Sequence, residues 1–221
     1  MRPSASTASC VACGNSSPSL RSSWSTTGRA TPPDRRAGGR DGPASAFNCG
    51  IGAAVQTGLL AALEAGFTRI VRLDGDAQHD PAEVARLIEA LDAGADFALG
   101  SRHLEQEGFQ TSGPRRLGIR WFSLLLRSLC GLRVTDPTSG FWAANRRAAA
   151  VLVSGAASGY PEVDSLIHLW RAGLCVREVP VRMRARATGE SSIGGLSPLY
   201  YMIKVSVALL AVRLGPRSRP G

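Results

Sequence analysis

Two carboxylates flank a single glycine in Asp74-Gly75-Asp76. There the β-branched run Arg69-Ile-Val-Arg-Leu73 gives way to the turn-rich stretch Asp74-Gly-Asp-Ala-Gln-His-Asp80. In extended backbone, side chains at i and i+2 point the same way, and the glycine between them allows a sharp turn and close backbone approach. Such hard oxygen donors suit Mg2+ or Mn2+. Gln78 adds a neutral oxygen and His79 a possible nitrogen ligand. A divalent ion held there would neutralise charge developing on a leaving diphosphate. A D-x-D triplet alone is a weak signal, because most are solvated turns. What marks this one out is its place at a strand end, with Pro81 opening a helix behind it.

The surrounding elements are those of a layered α/β domain. Gly52 to Gly66 is an Ala/Leu-rich helical pattern closed by a glycine stop. A second helix runs from Pro81 to about Ala93, and Asp96 to Gly100 forms a short strand. Helical patterns return at roughly 115–129, 145–154 and 161–171, and 175–181 has the texture of a strand. Short strands separated by helices predict a largely parallel sheet, with ligands beyond the carboxyl ends of its strands.

Composition narrows the partners. The chain has 221 residues, 44% hydrophobic and 19% charged, with a net charge of +9. This excludes collagen, coiled-coil and wholly disordered classes, and it favours anionic partners without choosing among phosphorylated metabolites, nucleic acid and membrane surface. Lys204 is the only lysine; arginine suits bidentate phosphate recognition, although a GC-rich coding sequence gives the same bias. Five cysteines, an odd number at irregular spacing, do not make a disulfide scaffold. Cys10-x-x-Cys13 has no second pair, and Cys49, Cys130 and Cys175 read as small apolar fillers.

Residues 1–46 are rich in Ser, Arg, Pro and Gly and have neither strand nor helix periodicity, so the expectation is a disordered or mistranslated tail. The domain proper is then 47–195, followed by a C-terminal apolar helix and tail over 196–221. Within the latter, only Val205 to Val212 is an uninterrupted apolar run. That is far short of the roughly 20 residues a membrane span requires. A helix lying at the interface, with Tyr200, Tyr201, Lys204 and Arg213 at headgroup level, and a helix packed on the domain are both open.

Several motifs occur together: Asn48-x-Gly50-x-Gly52, the Asp74 to Pro81 segment, Gly100-Ser-Arg102, Thr135-Asp-Pro-Thr-Ser-Gly-Phe141, Tyr160-Pro-Glu162 and Glu178-Val-Pro-Val181. In this order they resemble the family 2 glycosyltransferases, in particular the dolichol-phosphate mannosyltransferase branch that includes polyprenyl-phosphate sugar transferases. The likeness covers roughly 47–214. It implies a GT-A-like, mostly parallel sheet flanked by helices, and metal-dependent, inverting transfer of a sugar from a nucleotide-sugar of the GDP-mannose or UDP-glucose type to a polyprenyl or dolichyl phosphate. It also implies a cytoplasmic location, with peripheral contact at the inner membrane face through the C-terminal helix.

By the same resemblance, Asp76 and Gln78 would bind the metal, and Asp74 the ribose or metal shell. Arg102, Arg120 and Arg186 fall where the resembling enzymes hold donor or acceptor phosphates; the bland alternative for each is an exposed arginine. Asp136 would shape the acceptor site or act as base, and Ser139 would line the substrate or turn the chain below it. A base is dispensable for a phosphate monoester, whose second pKa is about 6. Glu162 reads equally as a helix-capping residue, and His103 and His168 as surface or core histidines. Readings from other classes, a non-catalytic remnant or a basic nucleic-acid-binding protein, lack a motif of their own.

The sequence departs from the family at its start. The expected strand ending in a Pro-x-Tyr-Asn-Glu segment and the second strand with its Asp-Asp-Gly-Ser turn have no counterpart in residues 1–46. The expectation is therefore an N-terminally incomplete sheet with an open inner edge, arising from a wrong start or a shifted reading frame.

Overall fold

The computed structural model describes residues 8–13, 20–24, 50–74, 78–104, 113–155, 161–182 and 197–214. In chain order these form β1 (Ala8–Cys13), β2 (Leu20–Trp24), α1 (Gly50–Glu64), β3 (Arg69–Asp74), α2 (Val84–Asp92), β4 (Phe97–Ser101) and α3 (Gly113–Cys130). There follow β5 (Trp142–Asn145), α4 (Arg146–Ser154), α5 (Pro161–Arg171), β6 (Val176–Pro180) and α6 (Ser197–Leu214).

Local chemistry accounts for the boundaries. Gly66 (φ +80°), just past α1, takes the left-handed conformation that stops a helix. Asp80 accepts from the Ala82 N–H ahead of a short 3-10 turn over Pro81–Glu83 that leads into α2. Asn145 caps α4 by accepting from the Ala148 N–H. The helices expected at 115–129, 145–154 and 161–171 are present nearly to the residue.

The six strands form one sheet in the order β2-β1-β3-β5-β4-β6. Only β4–β6 pairs in parallel; β1–β2, β1–β3, β3–β5 and β4–β5 are antiparallel. This corrects the expectation of a mostly parallel sheet. The pattern omitted β5, whose Trp-Ala-Ala-Asn sequence is nearly all buried and carries no alternation of polarity. β5 enters from the same edge at which β4 ends, because Gly100 N–H donates to Phe141 O (2.8 Å) just before β5 begins. Its direction is reversed as a result. β3, β4 and β6 nevertheless share one direction, so their carboxyl ends lie along one edge of the sheet.

Within residues 1–46 the described segments are the strands β1 and β2. β1 pairs with β3 over its whole length, from Ala8 opposite Asp74 to Cys13 opposite Arg69. β3 carries fully buried Ile70 and Val71, and its backbone donors and acceptors need partners on both sides. β1 supplies them on one side and β5 on the other. That requirement comes from β3, so nothing in residues 8–13 signals it locally.

Alternation along the strands divides the core into two layers. Ile70, Phe97, Leu99, Trp142 and Ala144 face a large cluster built with α1, α3, α4, α5 and α6. Val71, Ala98, Ala143 and Val179 face a smaller one built with α2. Cys130 is half-buried, and burial raises its thiol pKa against the lowering effect of Arg213. Cys175 is exposed rather than a core filler.

Candidate active site

The site edge begins at the end of β3. Arg72 and Asp74 follow Ile70 at steps of two, so all three share the face that meets the helix-rich layer. Arg72 is 1% exposed. Its Nη2 donates to Asp74 Oδ1 (3.2 Å) and to Glu162 Oε1 (3.1 Å), the latter in the first turn of α5. A guanidinium so deep in a core is stable only when paired, and here two carboxylates share it. Glu162 therefore reaches across to the strand end, beyond the capping role its position suggested.

Asp74 is fixed from two further directions. Its backbone N–H donates to His79 Nδ1 (3.0 Å), and the His79 ring stacks on Phe141 with centroids 4.9 Å apart. His79 Nδ1 is thus taken up by the backbone rather than offered to a metal. A Cβ on Gly140 would lie 2.5 Å from Asp74 Oδ2, so the carboxylate packs directly against a backbone that only glycine can provide.

A second cluster lies at the ends of β4 and β6. Arg102 Nε and Nη2 donate to Asp136 Oδ2 (2.8 Å) and Oδ1 (3.2 Å), a side-on, two-point pair. Asp136 is fully buried and also accepts from Thr138 Oγ1 (3.2 Å). Its carboxylate is the buried counter-ion of Arg102. Ser139 is buried, and its N–H donates to Asp136 O while its Oγ accepts from the Phe141 N–H. These bonds place it in a turn of the chain. Glu178 of β6 accepts from the Thr135 N–H, the Thr135 hydroxyl and the Asp136 N–H at 2.8–2.9 Å.

The loop from Thr135 to Phe141 joins the two clusters. Its first residues hold Arg102, and its last two abut Asp74 and His79. Gly100 belongs to the same join, since a Cβ there would sit 3.0 Å from the Phe141 ring.

Of the residues expected to make the site, Asp74, Arg102, Asp136 and Ser139 come together. Gln78 is half-buried four residues beyond Asp74. Arg120 sits on the exposed face of α3, and among the described residues no ion pair or hydrogen bond ties it to either cluster. Asp76 and Arg186 lie outside the described residues. The donors described at the end of β3 are oxygens, which fit a hard divalent ion. Among the described residues no group of three or more His, Cys, Asp or Glu side chains is placed to hold one.

Residues 35–152 match the family model described as glycosyl transferase family 2. This chain belongs to glycosyl transferase family 2. The match starts ahead of the boundary drawn at residue 47. The family 2 chain is 32% identical over 161 residues to a polyprenol monophosphomannose synthase of Mycolicibacterium smegmatis, covering 71% of this chain and 61% of the relative. It is 34% identical over 150 residues to an undecaprenyl-phosphate mannosyltransferase of Micrococcus luteus, covering 66% and 61%. The chain thus spans about three-fifths of the length of these curated relatives.

Among solved structures, it is similar to a glucosyl-3-phosphoglycerate synthase of Mycobacterium tuberculosis in complex with Mn2+, UDP and phosphoglyceric acid. The TM-score is 0.54 at 25% identity, over 78% of this chain and 55% of the other. A further structure of that synthase, with phosphoglyceric acid, gives a TM-score of 0.60 at 23% identity over 89% and 68%, a likeness of fold. The GT-A-like α/β class expected from the sequence is therefore the class observed, as a mixed sheet with flanking helices.

Sequence reading of the family 2 chain missed three residues that organise the site: Arg72, His79 in its structural role, and Glu178. Arg72 carried one available signal. A charged residue inside an apolar strand, two positions before an aspartate and on its face, requires a buried partner.

Proposed function

We propose that the chain is the catalytic domain of a polyprenyl-phosphate glycosyltransferase. It moves a sugar from a nucleotide-sugar of the GDP-mannose or UDP-glucose type to a lipid-linked phosphate, with inversion at the anomeric carbon and with Mg2+ or Mn2+. The observation that carries this reading is the pairing of opposite polarities at one sheet edge: the Asp74 carboxylate at the end of β3 and the Arg102 guanidinium at the end of β4, bridged by the Thr135–Phe141 loop. The names of the relatives supply the class of acceptor.

The chemistry asks little of the protein's own acids and bases. A phosphate oxygen of the acceptor attacks the anomeric carbon as the bond to the nucleoside diphosphate breaks, and the electron pair leaves with the diphosphate. The attacking oxygen is already ionised near neutrality, so positioning and charge stabilisation suffice. Arg102, backed by buried Asp136, presents its remaining donor edge to a phosphate group, with Arg120 and Arg186 as further phosphate contacts and Ser139 shaping the loop beneath. Asp74, held by Arg72 and Gly140, accepts from donor hydroxyls. Asp76 and Gln78, with Asp74 beside them, would hold the divalent ion, which when bound stabilises the diphosphate as it leaves.

A lipid acceptor calls for a membrane-facing surface. On α3, Leu117, Trp121 and Leu124 are exposed at i, i+4 and i+7; on α6, Ile203, Val207 and Leu210 repeat the pattern. Trp121 Nε1 donates to Ser206 Oγ (3.0 Å), which ties the two stripes into one apolar face. Exposed Arg120, Arg127, Lys204 and Arg213 lie on the same helices. Among the described residues no helix is long and apolar enough to cross a membrane. We read this two-helix face as the peripheral contact with the inner leaflet, wider than α6 alone.

Incubation of the purified protein with Mn2+, radiolabelled GDP-mannose or UDP-glucose and polyprenyl phosphate tests the reading. Labelled lipid is expected, and Asp76→Ala should abolish it. Full activity in that variant would refute the metal assignment, and no lipid product from either donor would refute the transferase reading.

A further inference from the structure

Glu178 lies in β6, opposite Leu99 in the parallel pairing with β4. Its carboxylate takes three donors from the loop that carries Asp136: the Thr135 N–H at 2.9 Å, the Thr135 hydroxyl at 2.8 Å and the Asp136 N–H at 2.8 Å. Two of these are backbone groups, so the bonds fix where the chain runs. The Thr135 hydroxyl is also 2.9 Å from Ser101 Oγ, next to Arg102 in sequence. Asp136, fully buried, then grips Arg102 through two nitrogens. A chain of charge-assisted bonds thus runs from β6 through the loop to one guanidinium, whose side chain is 12% exposed.

We propose that Glu178 is a positioning residue for phosphate recognition: by clamping the backbone at Thr135–Asp136 it sets Asp136, and through it aims Arg102 at a phosphate group of the substrates. The inference rests on the transferase reading of this edge and deepens it. Oε1 accepts all three donors, and Oε2 shares the Thr135 N–H at 2.9 Å, so both oxygens of the carboxylate face donors. An amide in its place would turn an NH2 group towards an N–H, replacing an attraction by a donor–donor clash. The phosphate belongs to the donor diphosphate or to the lipid acceptor, which present the same chemistry to a guanidinium; separate KM values for the two substrates distinguish them.

The experiment compares Glu178→Gln, Arg102→Ala and the double variant in steady-state transfer with each substrate varied in turn. Glu178→Gln is expected to raise the KM of one substrate by about tenfold, the scale of one charge-assisted hydrogen bond. That substrate is the one whose KM Arg102→Ala raises, and kcat should change by less than about twofold. In the double variant the Glu178 substitution should add almost nothing, because its effect passes through Arg102. Additive losses, or equal losses for both substrates, would mean that Glu178 serves stability alone and would overturn the proposal.

A readout independent of activity keeps the two readings apart. The Arg102 Nε–H, bonded to a buried carboxylate, should give a slowly exchanging 15N resonance that shifts and exchanges faster in Glu178→Gln. An unchanged resonance overturns the positioning role even if transfer is seen; a changed one with no transfer in the parent protein overturns the transferase reading and leaves the positioning intact. If Glu178→Gln does not fold, Thr135→Val removes one of the three donors without touching charge and should move the same resonance and the same KM by a smaller factor; no movement of either would overturn the proposal.

Discussion

The two ends of the site edge are built from the same pieces with opposite polarity. At the end of β3 the cation is buried and the acids face outward: Arg72 is 1% exposed, while the side chains of Asp74 and Glu162 are 28% and 18% exposed. At the end of β4 the acid is buried and the cation faces outward, with Asp136 at 0% and Arg102 at 12%. An ion pair half sunk in a protein offers to solvent the partner that is not sunk. One end therefore presents carboxylate oxygens, suited to cations and hydroxyls, and the other presents guanidinium nitrogens, suited to phosphate. A few strands and one loop thereby provide two complementary binding chemistries side by side.

The contrast breaks or holds on stability first. Arg102→Leu leaves the fully buried Asp136 carboxylate unpaired and should cost about 3–5 kcal/mol in urea unfolding. Arg72→Leu puts an apolar side chain into an apolar layer and leaves two carboxylates that already reach water, so about 1–3 kcal/mol is expected. If Arg72→Leu proves the costlier, the polarity assignment is wrong.

Gly140→Ala comes next in size. Its new Cβ would collide with Asp74 Oδ2, a backbone-mounted methyl against a carboxylate held by Arg72. An overpacking cost of about 1–3 kcal/mol is expected, together with a loss of the thermal stabilisation given by GDP or UDP with Mn2+. The Arg102 15N resonance should stay where it is, because the displacement falls at the other end of the loop. A shift there instead would show the two ends to be mechanically one.

The smallest effect concerns α5, the helix that carries Glu162. Burial lowers the pKa of His168 below its ordinary 6.5, with Asp164 opposing and Arg171 adding to the shift. A lowered folded value means that the unfolded chain binds the proton more readily, so stability is fully present above the unfolded pKa of about 6.5 and falls as pH drops through it towards the folded value. Thermal melts between pH 7.5 and 5.5 should show a slight loss that His168→Gln removes. An identical slope in the variant would assign the loss to another group.

Much of the frame was legible along the chain. Helices announced themselves by period and by their stops: Gly66 past α1, Asp80 before Pro81, Asn145 at the head of α4. The motif order named the family, and the placement of ligand chemistry beyond the ends of β3, β4 and β6 followed from the strand–helix alternation. β1 and β5 were not legible, because what makes them strands is the hydrogen-bonding need of β3 and β4 rather than a pattern of their own. The burial of Asp136 was not legible for a related reason. An aspartate before a proline in a loop looks accessible, and only the packing of Ser139, Phe141 and Arg102 around it removes it from water.

The sequence by itself determined the residues available for chemistry, the helices and strands that carry them, and the class of fold, because turn chemistry and side-chain periodicity act over a few neighbouring positions. The tertiary structure alone decided which charge meets which: Arg102 with Asp136, 34 positions on, Glu178 with Thr135 at a separation of 43, and Arg72 with Glu162 at 90. Those partnerships depend on strand order and direction, and β5 runs against its neighbours because a loop brings the chain back to the edge where β4 ends.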